Sequence, residues 1–254
     1  MVIINDIYAF LNEIAPVRYQ MDFDNAGFLV GDGGTVVKNA LLALDITDAV
    51  IAEAIELRAQ LIVSHHPLIF TPLRHATTDD LAGRKVLTMA RHGISAICMH
   101  TNLDAADGGV NDCLAKKLGL HDIFSLNDEK IGRIGTLSCE KGLEEFLRDV
   151  IELLGCGGLR YCRGSGRVHR VAVGGGACGE YIPQAIAQGC DTFVTSDLRY
   201  NDFLDTRGLN LIDAGHFPTE NVVCPTVKAY LEEHFPEVKT VISTSHRDVI
   251  QYYL

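Results

Sequence analysis

Residues 61–67 read Leu-Ile-Val-Ser-His-His-Pro, a short apolar run that stops at a hydroxyl and two imidazoles. A run this short and this apolar fits a strand buried on both faces, as in a parallel sheet covered by helices. The stretch before it, from Thr47, carries Ile51, Ala54 and Ile55 at helical spacing. Helix then strand is half of a β-α-β unit, and the pattern returns further along. Gly179–Ser196 reads the same way and ends Asp-Thr-Phe-Val-Thr-Ser-Asp at residues 191–197. At an offset of 131 residues Ile51, Ala54, Ile55 and Val63 meet Ile182, Ala185, Ile186 and Val194. His92-Gly-Ile and Arg207-Gly-Leu form a second echo, each followed shortly by a histidine.

Working outward, the same alternation predicts strands over Ala40–Asp45, Leu61–Ser64, Ile94–Met99, Arg170–Gly174, Thr192–Ser196, Leu209–Asp213 and Val238–Thr244. Glycines at 93, 119, 155, 189 and 208 mark helix ends. A last long helix is expected from about Thr219 to His234, before Pro236. The fold class is therefore α/β, with largely parallel or mixed sheets.

Composition narrows the function classes. The 254 residues carry 22 Lys and Arg against 33 Asp and Glu, a formal charge of −11, which disfavours non-specific nucleic-acid binding. No segment approaches the ~18 apolar residues of a membrane span. The start, Met1-Val-Ile-Ile-Asn-Asp, lacks the basic and apolar regions of a signal peptide. Eight cysteines without a Cys-x-x-Cys pair fit free thiols in a reducing cytoplasm. A soluble cytoplasmic protein is expected.

Chemistry gathers at strand ends. In open α/β sheets ligands bind beyond the carboxyl ends of strands. His65 and His66 stand there, and adjacent side chains on an extended segment point to opposite faces, so each could reach a different ion. The strand Ile94–Met99 runs into His100-Thr-Asn102-Leu-Asp104, and Leu209–Asp213 runs into Ala-Gly-His216-Phe-Pro-Thr-Glu220. His216 and Glu220 are four apart and share one side of a helical turn. Imidazoles with carboxylates suit Zn, Mn, Fe or Ni, and the absence of cysteine from all three runs argues against a structural thiolate zinc.

Three motifs carry a resemblance: Ser-His-His-Pro-Leu-Ile-Phe, His-Thr-Asn-Leu-Asp with Gly-Gly-Val-Asn-Asp, and Gly-His-Phe-Pro-Thr-Glu. They resemble the dinuclear-metal family of GTP cyclohydrolase I type 2 homologues, also called YbgI-like or Nif-three-like proteins. Asp22-Phe-Asp24-Asn25-Ala-Gly27 is similar to that family's Trp-Asp-Asn-Val-Gly segment, with Phe23 for the tryptophan, and the likeness spans nearly the whole chain. It implies His65, His66, Asp104, His216 and Glu220 as ligands of two divalent ions per chain. It also implies two interlocked, weakly similar lobes with the metal site at strand ends between them, a homohexamer built as a trimer of dimers, and the short form without an inserted domain. The lobes are expected at 1–126 plus 205–254, carrying most ligands, and at 127–204. Where the family often has a histidine-containing stretch after Thr-Gly-Asp, this chain has Thr195-Ser196-Asp197-Leu-Arg-Tyr.

The expected function is a dinuclear metal-dependent hydrolase acting through a metal-bridging hydroxide, by resemblance on a nucleotide such as GTP or on a cyclic amide. Asp45, His100, Asn102, Asp197 and His246 are candidates for orienting ligands or touching substrate. No base-stacking aromatic cluster is visible in the sequence, and cations for a triphosphate are scattered. One alternative is a non-catalytic metal-binding hexameric scaffold or partner-binding protein. A lesser one is a dinucleotide-binding module, because Gly174-Gly-Gly-Ala-Cys-Gly179 fits G-x-G-x-x-G after a strand, with Asp197 placed as a ribose-binding acid.

Overall fold

The computed structural model describes residues 1–253. The chain divides into two compact units: Met1–Ala106 with Cys224–Arg247, and Asp107–Val223 with the segment from Asp248.

The first unit begins with α1 (Ile4–Ile14), β1 (Gly27–Val30) and β2 (Asn39–Ala43). It continues through α2 (Asp48–Glu56), β3 (Leu61–Ser64), α3 (Leu81–Arg91), β4 (Ser95–Cys98) and the single turn α4 (Thr101–Ala105). The second unit holds α5 (Val110–Lys117), β5 (His121–Ser125), β6 (Arg133–Gly142), α6 (Leu143–Leu154), β7 (Arg160–Cys162) and β8 (Arg167–Val173). It is completed by α7 (Ile182–Ala187), β9 (Thr192–Thr195), β10 (Asn210–Asp213) and the short α8 (His216–Glu220). The chain then returns to the first unit as α9 (Cys224–His234) and β11 (Lys239–Ile242).

Local chemistry explains the element ends. Thr47 caps α2 by accepting from the Val50 amide at 3.2 Å, and Asp80 caps α3 through the Gly83 amide at 2.6 Å. Gly155 ends α6 in the left-handed region, φ 69°. The apolar strands are buried throughout, β3 and β9 on every residue. The first unit packs Leu41, Ile62 and Ala96 from its sheet against Val50, Ile51 and Ala54 of α2 and Met89 of α3. The second packs Val171, Val194 and Ile212 against Leu143, Phe146 and Val150 of α6.

The sheets order as β1-β4-β3-β2-β11 and β5-β6-β8-β9-β10-β7. In the first, β11, β2, β3 and β4 are parallel and β1 is antiparallel to β4. In the second, β8, β9 and β10 are parallel while β5, β6 and β7 join antiparallel. The fold is α/β with two mixed sheets. The repeat at an offset of 131 is matched in topology: β3 and β9 span equivalent residues, and each lies between two parallel strands in a run that ends on an antiparallel neighbour.

Two expectations need correction. Residues 205–223 fall in the second unit, because β10 pairs with β9 and β7, and so do 107–126, because β5 pairs with β6. The helix expected over Thr219–His234 is broken into α8, a 3-10 turn at Asn221–Val223 and α9. Pro225 has no amide proton to continue the ladder across that junction.

Candidate metal centre

In the first unit, β3 and β4 end side by side and deliver their following residues to one place. The His65 and His66 amides extend the ladder by donating to the Ala43 and Leu44 carbonyls at 3.2 and 2.8 Å. The strand itself stops at Ser64, whose hydroxyl donates to the His66 carbonyl at 2.9 Å, and the chain bends. The two imidazoles therefore lie side by side, centroids 5.0 Å apart, instead of on opposite faces of a strand. His100 joins them, and one ring nitrogen from each of His65, His66 and His100 falls within 4.8 Å of the others. Asp104, one turn along α4, brings Oδ1 to 3.7 Å from His65 Nε2.

Each ring is aimed by an acceptor at Nδ1. His65 Nδ1 donates to the Met99 carbonyl at 2.7 Å, His66 Nδ1 to Asp45 at 2.9 Å and His100 Nδ1 to Asp24 at 2.7 Å. A carbonyl can only accept, so His65 Nδ1 carries a proton and Nε2 is the ring nitrogen left to face a cation. Asp24 is the most constrained of these acceptors. Its side chain is fully buried and also receives the Thr101 amide at 3.0 Å and the Thr101 hydroxyl. Burial alone would raise its carboxyl, but the hydrogen bonds from His100 and Thr101 outweigh that and bring it down to about 2.

The second unit presents a smaller set. α8 places His216 Nε2 3.1 Å from Glu220 Oε2, and His216 Nδ1 donates to Asp197 at 2.6 Å. Burial would hold the His216 imidazole down, yet Glu220 and Asp197 push it up to about 9. Asp213, at the end of β10, braces both sides of this site. It accepts from the Leu198 amide at 3.1 Å and the Gly215 amide at 3.2 Å, and Arg160 pairs with it. The residues that follow Asp197 and precede His216 are thus tied to one carboxylate.

The family model Duf34/NIF3 (NGG1p interacting factor 3) matches residues 2–249. The chain belongs to the Duf34/NIF3 family. It is 34% identical to a Clostridium perfringens protein named GTP cyclohydrolase 1 type 2 homolog, over 98% of this chain and 99% of that one. Among solved structures, a Bacillus cereus protein related to NIF3 superposes with a TM-score of 0.93 at 25% identity, and a Staphylococcus aureus hypothetical protein with 0.92 at 29%. Both superpositions cover 99% of each chain.

In this NIF3-family chain the donor set fits divalent cations. Imidazole Nε2 atoms and carboxylate oxygens 3–4 Å apart are spaced as neighbouring ligands on one ion with bonds of about 2.0–2.2 Å. The eight cysteines are free thiols, and burial pushes the Cys98 thiol, the one nearest the His65 cluster, well up, away from the thiolate a metal would need.

The glycine-rich turn, the lesser dinucleotide alternative, has its amides engaged within the chain. The Gly175 amide donates to Asn111, the Gly176 amide to Thr219 and the Cys178 amide to Thr195, at 2.9, 3.0 and 3.1 Å. Those donors are unavailable to a pyrophosphate. Gly176, at φ 64°, lies so close to the site that a Cβ there would fall 2.2 Å from Glu220 Oε1. The turn exists to let α8 approach, and Asp197, the supposed ribose acid, holds His216.

The buried Asn102 side chain clamps backbone: its amide nitrogen donates to the Ala15 carbonyl at 2.7 Å and its oxygen receives the His100 amide at 2.9 Å. His246 sits within electrostatic reach of Asp45 and His66; burial, aided by His66, holds its imidazole below the usual range. Sequence reasoning missed Asp24 and Asp213 as site residues. Asp24 stood in the quoted Asp22–Gly27 segment, but its partner His100 is 76 residues away.

Among the described residues no helix is long and apolar enough to cross a membrane.

Proposed function

We propose that this NIF3-family protein is a hydrolase dependent on two divalent cations, with a nucleotide or cyclic amide as substrate. His65, His66 and Asp104 of the first unit and His216 and Glu220 of the second are the ligands in this reading. The observation that carries it is the Nδ1 pattern. Four imidazoles on three strand ends each donate from Nδ1 to a carbonyl or carboxylate, the usual arrangement behind a histidine that ligates a metal through Nε2.

Two such cations supply, when bound, a water-derived nucleophile at neutral pH and electron withdrawal from the substrate. The chain's own groups do the rest. Asp45, Asp24 and Asp197 fix ring orientation, and His100 stands among the ligands as a further imidazole. The name of the Clostridium relative, GTP cyclohydrolase 1 type 2 homolog, favours a guanine nucleotide, whose ring opening is hydrolysis of a carbon–nitrogen bond in a heterocycle.

The test is turnover by metal-loaded protein across nucleotides, phosphodiesters and cyclic amides, with His65→Ala beside it. Turnover of at least one class, lost in the variant, is the expected result. A panel without turnover, or turnover that His65→Ala leaves intact, overturns the hydrolase reading, and the metal-binding scaffold then takes its place.

A further inference from the structure

Two aromatic rings far apart in sequence meet on the surface of the first unit beside the imidazole cluster. Phe23 is 63% exposed and Phe70 is 48% exposed, an unusual amount of bare ring for two adjacent phenylalanines. Their centroids lie 6.4 Å apart at 53°, tilted and not closed face to face. Phe70 in turn meets His100 at 6.2 Å in a T-shaped contact, and His100 lies 5.2 and 5.6 Å from the His65 and His66 rings.

The placement is built. Between Phe23 and Gly27, Asp24 is fixed to His100 and Thr101. Asn25 Nδ2 donates to the Ile69 carbonyl at 2.6 Å, joining the loop of Phe23 to the loop of Phe70. One three-residue stretch, Phe23-Asp24-Asn25, thus aims an imidazole, ties down a second loop and projects a ring. Core packing explains none of the exposure, since both rings would be more stable covered.

We infer that Phe23 and Phe70 form the stacking subsite that holds the planar heterocyclic ring of the substrate against the His65–His66–His100 cluster. The inference deepens the hydrolase reading and rests on it for the identity of the reacting centre. Stacking on aromatic side chains accepts any flat base, because every base has a π face. The subsite therefore selects for a heterocycle as a class, while discrimination among heterocycles falls to polar groups.

The chain contains no tryptophan, so Phe23→Trp introduces a single indole whose emission reports directly on stacking. Guanosine and adenosine should each quench it saturably, and ribose should not. Adding Phe70→Ala should weaken that binding on the order of 10- to 100-fold, while the metal content of Phe70→Ala stays that of the unmodified protein. Absence of saturable quenching, equal quenching by ribose, or unchanged affinity after Phe70→Ala overturns the inference. So does an emission shift that follows protein concentration without nucleoside, which would mean that a second copy covers the rings. Metal uptake measured on the same samples separates the two readings. Uptake without quenching removes the subsite alone, and quenching without uptake removes the metal-dependent hydrolase and leaves a ring-binding site.

Discussion

The two units build the same trio of parallel strands in the same chain order and finish them differently. In the first, β3 ends in His65-His66; in the second, the equivalent β9 ends in Ser196-Asp197. The third strand of each trio leads to a five-residue helix with a histidine at or just before its start and a carboxylate four residues on, His100 with Asp104 and His216 with Glu220. On the proposed reading the middle strand supplies ligands in one unit and the group that aims a ligand in the other. Asp197 adopts φ 54°, a conformation its short side chain tolerates, to bring its carboxylate to His216. One scaffold position can thus carry either a proposed ligand or the group that orients one, and side-chain choice decides which.

Replacing a ligand from each unit tests the comparison most severely. His65→Ala and Glu220→Ala should each weaken divalent-metal binding more than ~100-fold, beyond the effect of losing an orienting group. If the units serve a shared centre, calorimetry will show both ions weakened by either change. Stoichiometry that falls by one ion in each variant, with the other ion held normally, would make them two separate sites.

The orienting carboxylates come next. Asp197→Asn, which frees a proposed ligand, should reduce metal affinity about 10- to 100-fold, and Asp24→Asn, whose partner His100 lies outside the ligand set, should reduce it less. Only Asp24→Asn should also lower the unfolding midpoint appreciably, since its side chain is fully buried while that of Asp197 is about half exposed. Equal midpoints would show that burial does not separate the two positions.

Gly176→Ala probes the packing that only the second unit has. Left-handed strain alone should cost about 1 kcal/mol, the value expected for Gly93→Ala, where a Cβ meets open space. The clash with Glu220 should raise the loss for Gly176→Ala to more than about 2 kcal/mol, with weaker metal binding. Urea melts of the pair give the difference directly, and equal losses would remove the packing role.

The smallest effect concerns the first unit's closing segment. Glu53 accepts from the Thr244 and Ser245 amides at 2.9 and 3.0 Å and from the Ser243 hydroxyl. Its slight burial would raise its carboxyl, but those bonds bring it down to about 2. A folded value below the ordinary one of 4.5 stabilises the fold above that pH, and the contribution is lost as pH falls towards 2. Glu53→Gln should thus be less stable than the parent at pH 7, with the gap closing between about pH 5 and 2. A gap independent of pH would assign the effect to something other than the charge.

What the sequence disclosed follows burial. The seven strands read from it are the parallel ones, all but the edge strand β11 carrying buried apolar runs that stand out, and β3 matches to the residue. The missed β1, β5, β6 and β7 are all antiparallel, and β5 and β7 are mostly exposed, with polar residues such as His121, Asp122 and Arg160 interrupting any apolar run. At the site, motifs of consecutive residues were legible and long-range partners were not. His216 with Glu220 can be read from spacing, but Asp24 beside His100 and Phe23 beside Phe70 require the fold. The glycine turn stayed ambiguous because the same sequence serves a phosphate and a close-packed helix, and only the donors' partners distinguish them.

The late return of the chain to its first sheet has a consequence for synthesis. Asn39 of β2 pairs with Lys239 of β11, 200 residues further on. At ribosomal rates of 5–20 residues per second, that edge waits roughly 10–40 s for its neighbour. Throughout that interval Ala40-Leu-Leu-Ala43 offers an apolar strand with open hydrogen-bonding groups, a template for pairing with other nascent chains. Soluble yield should therefore depend on chaperone supply and on slow expression more than on the stability of the finished molecule.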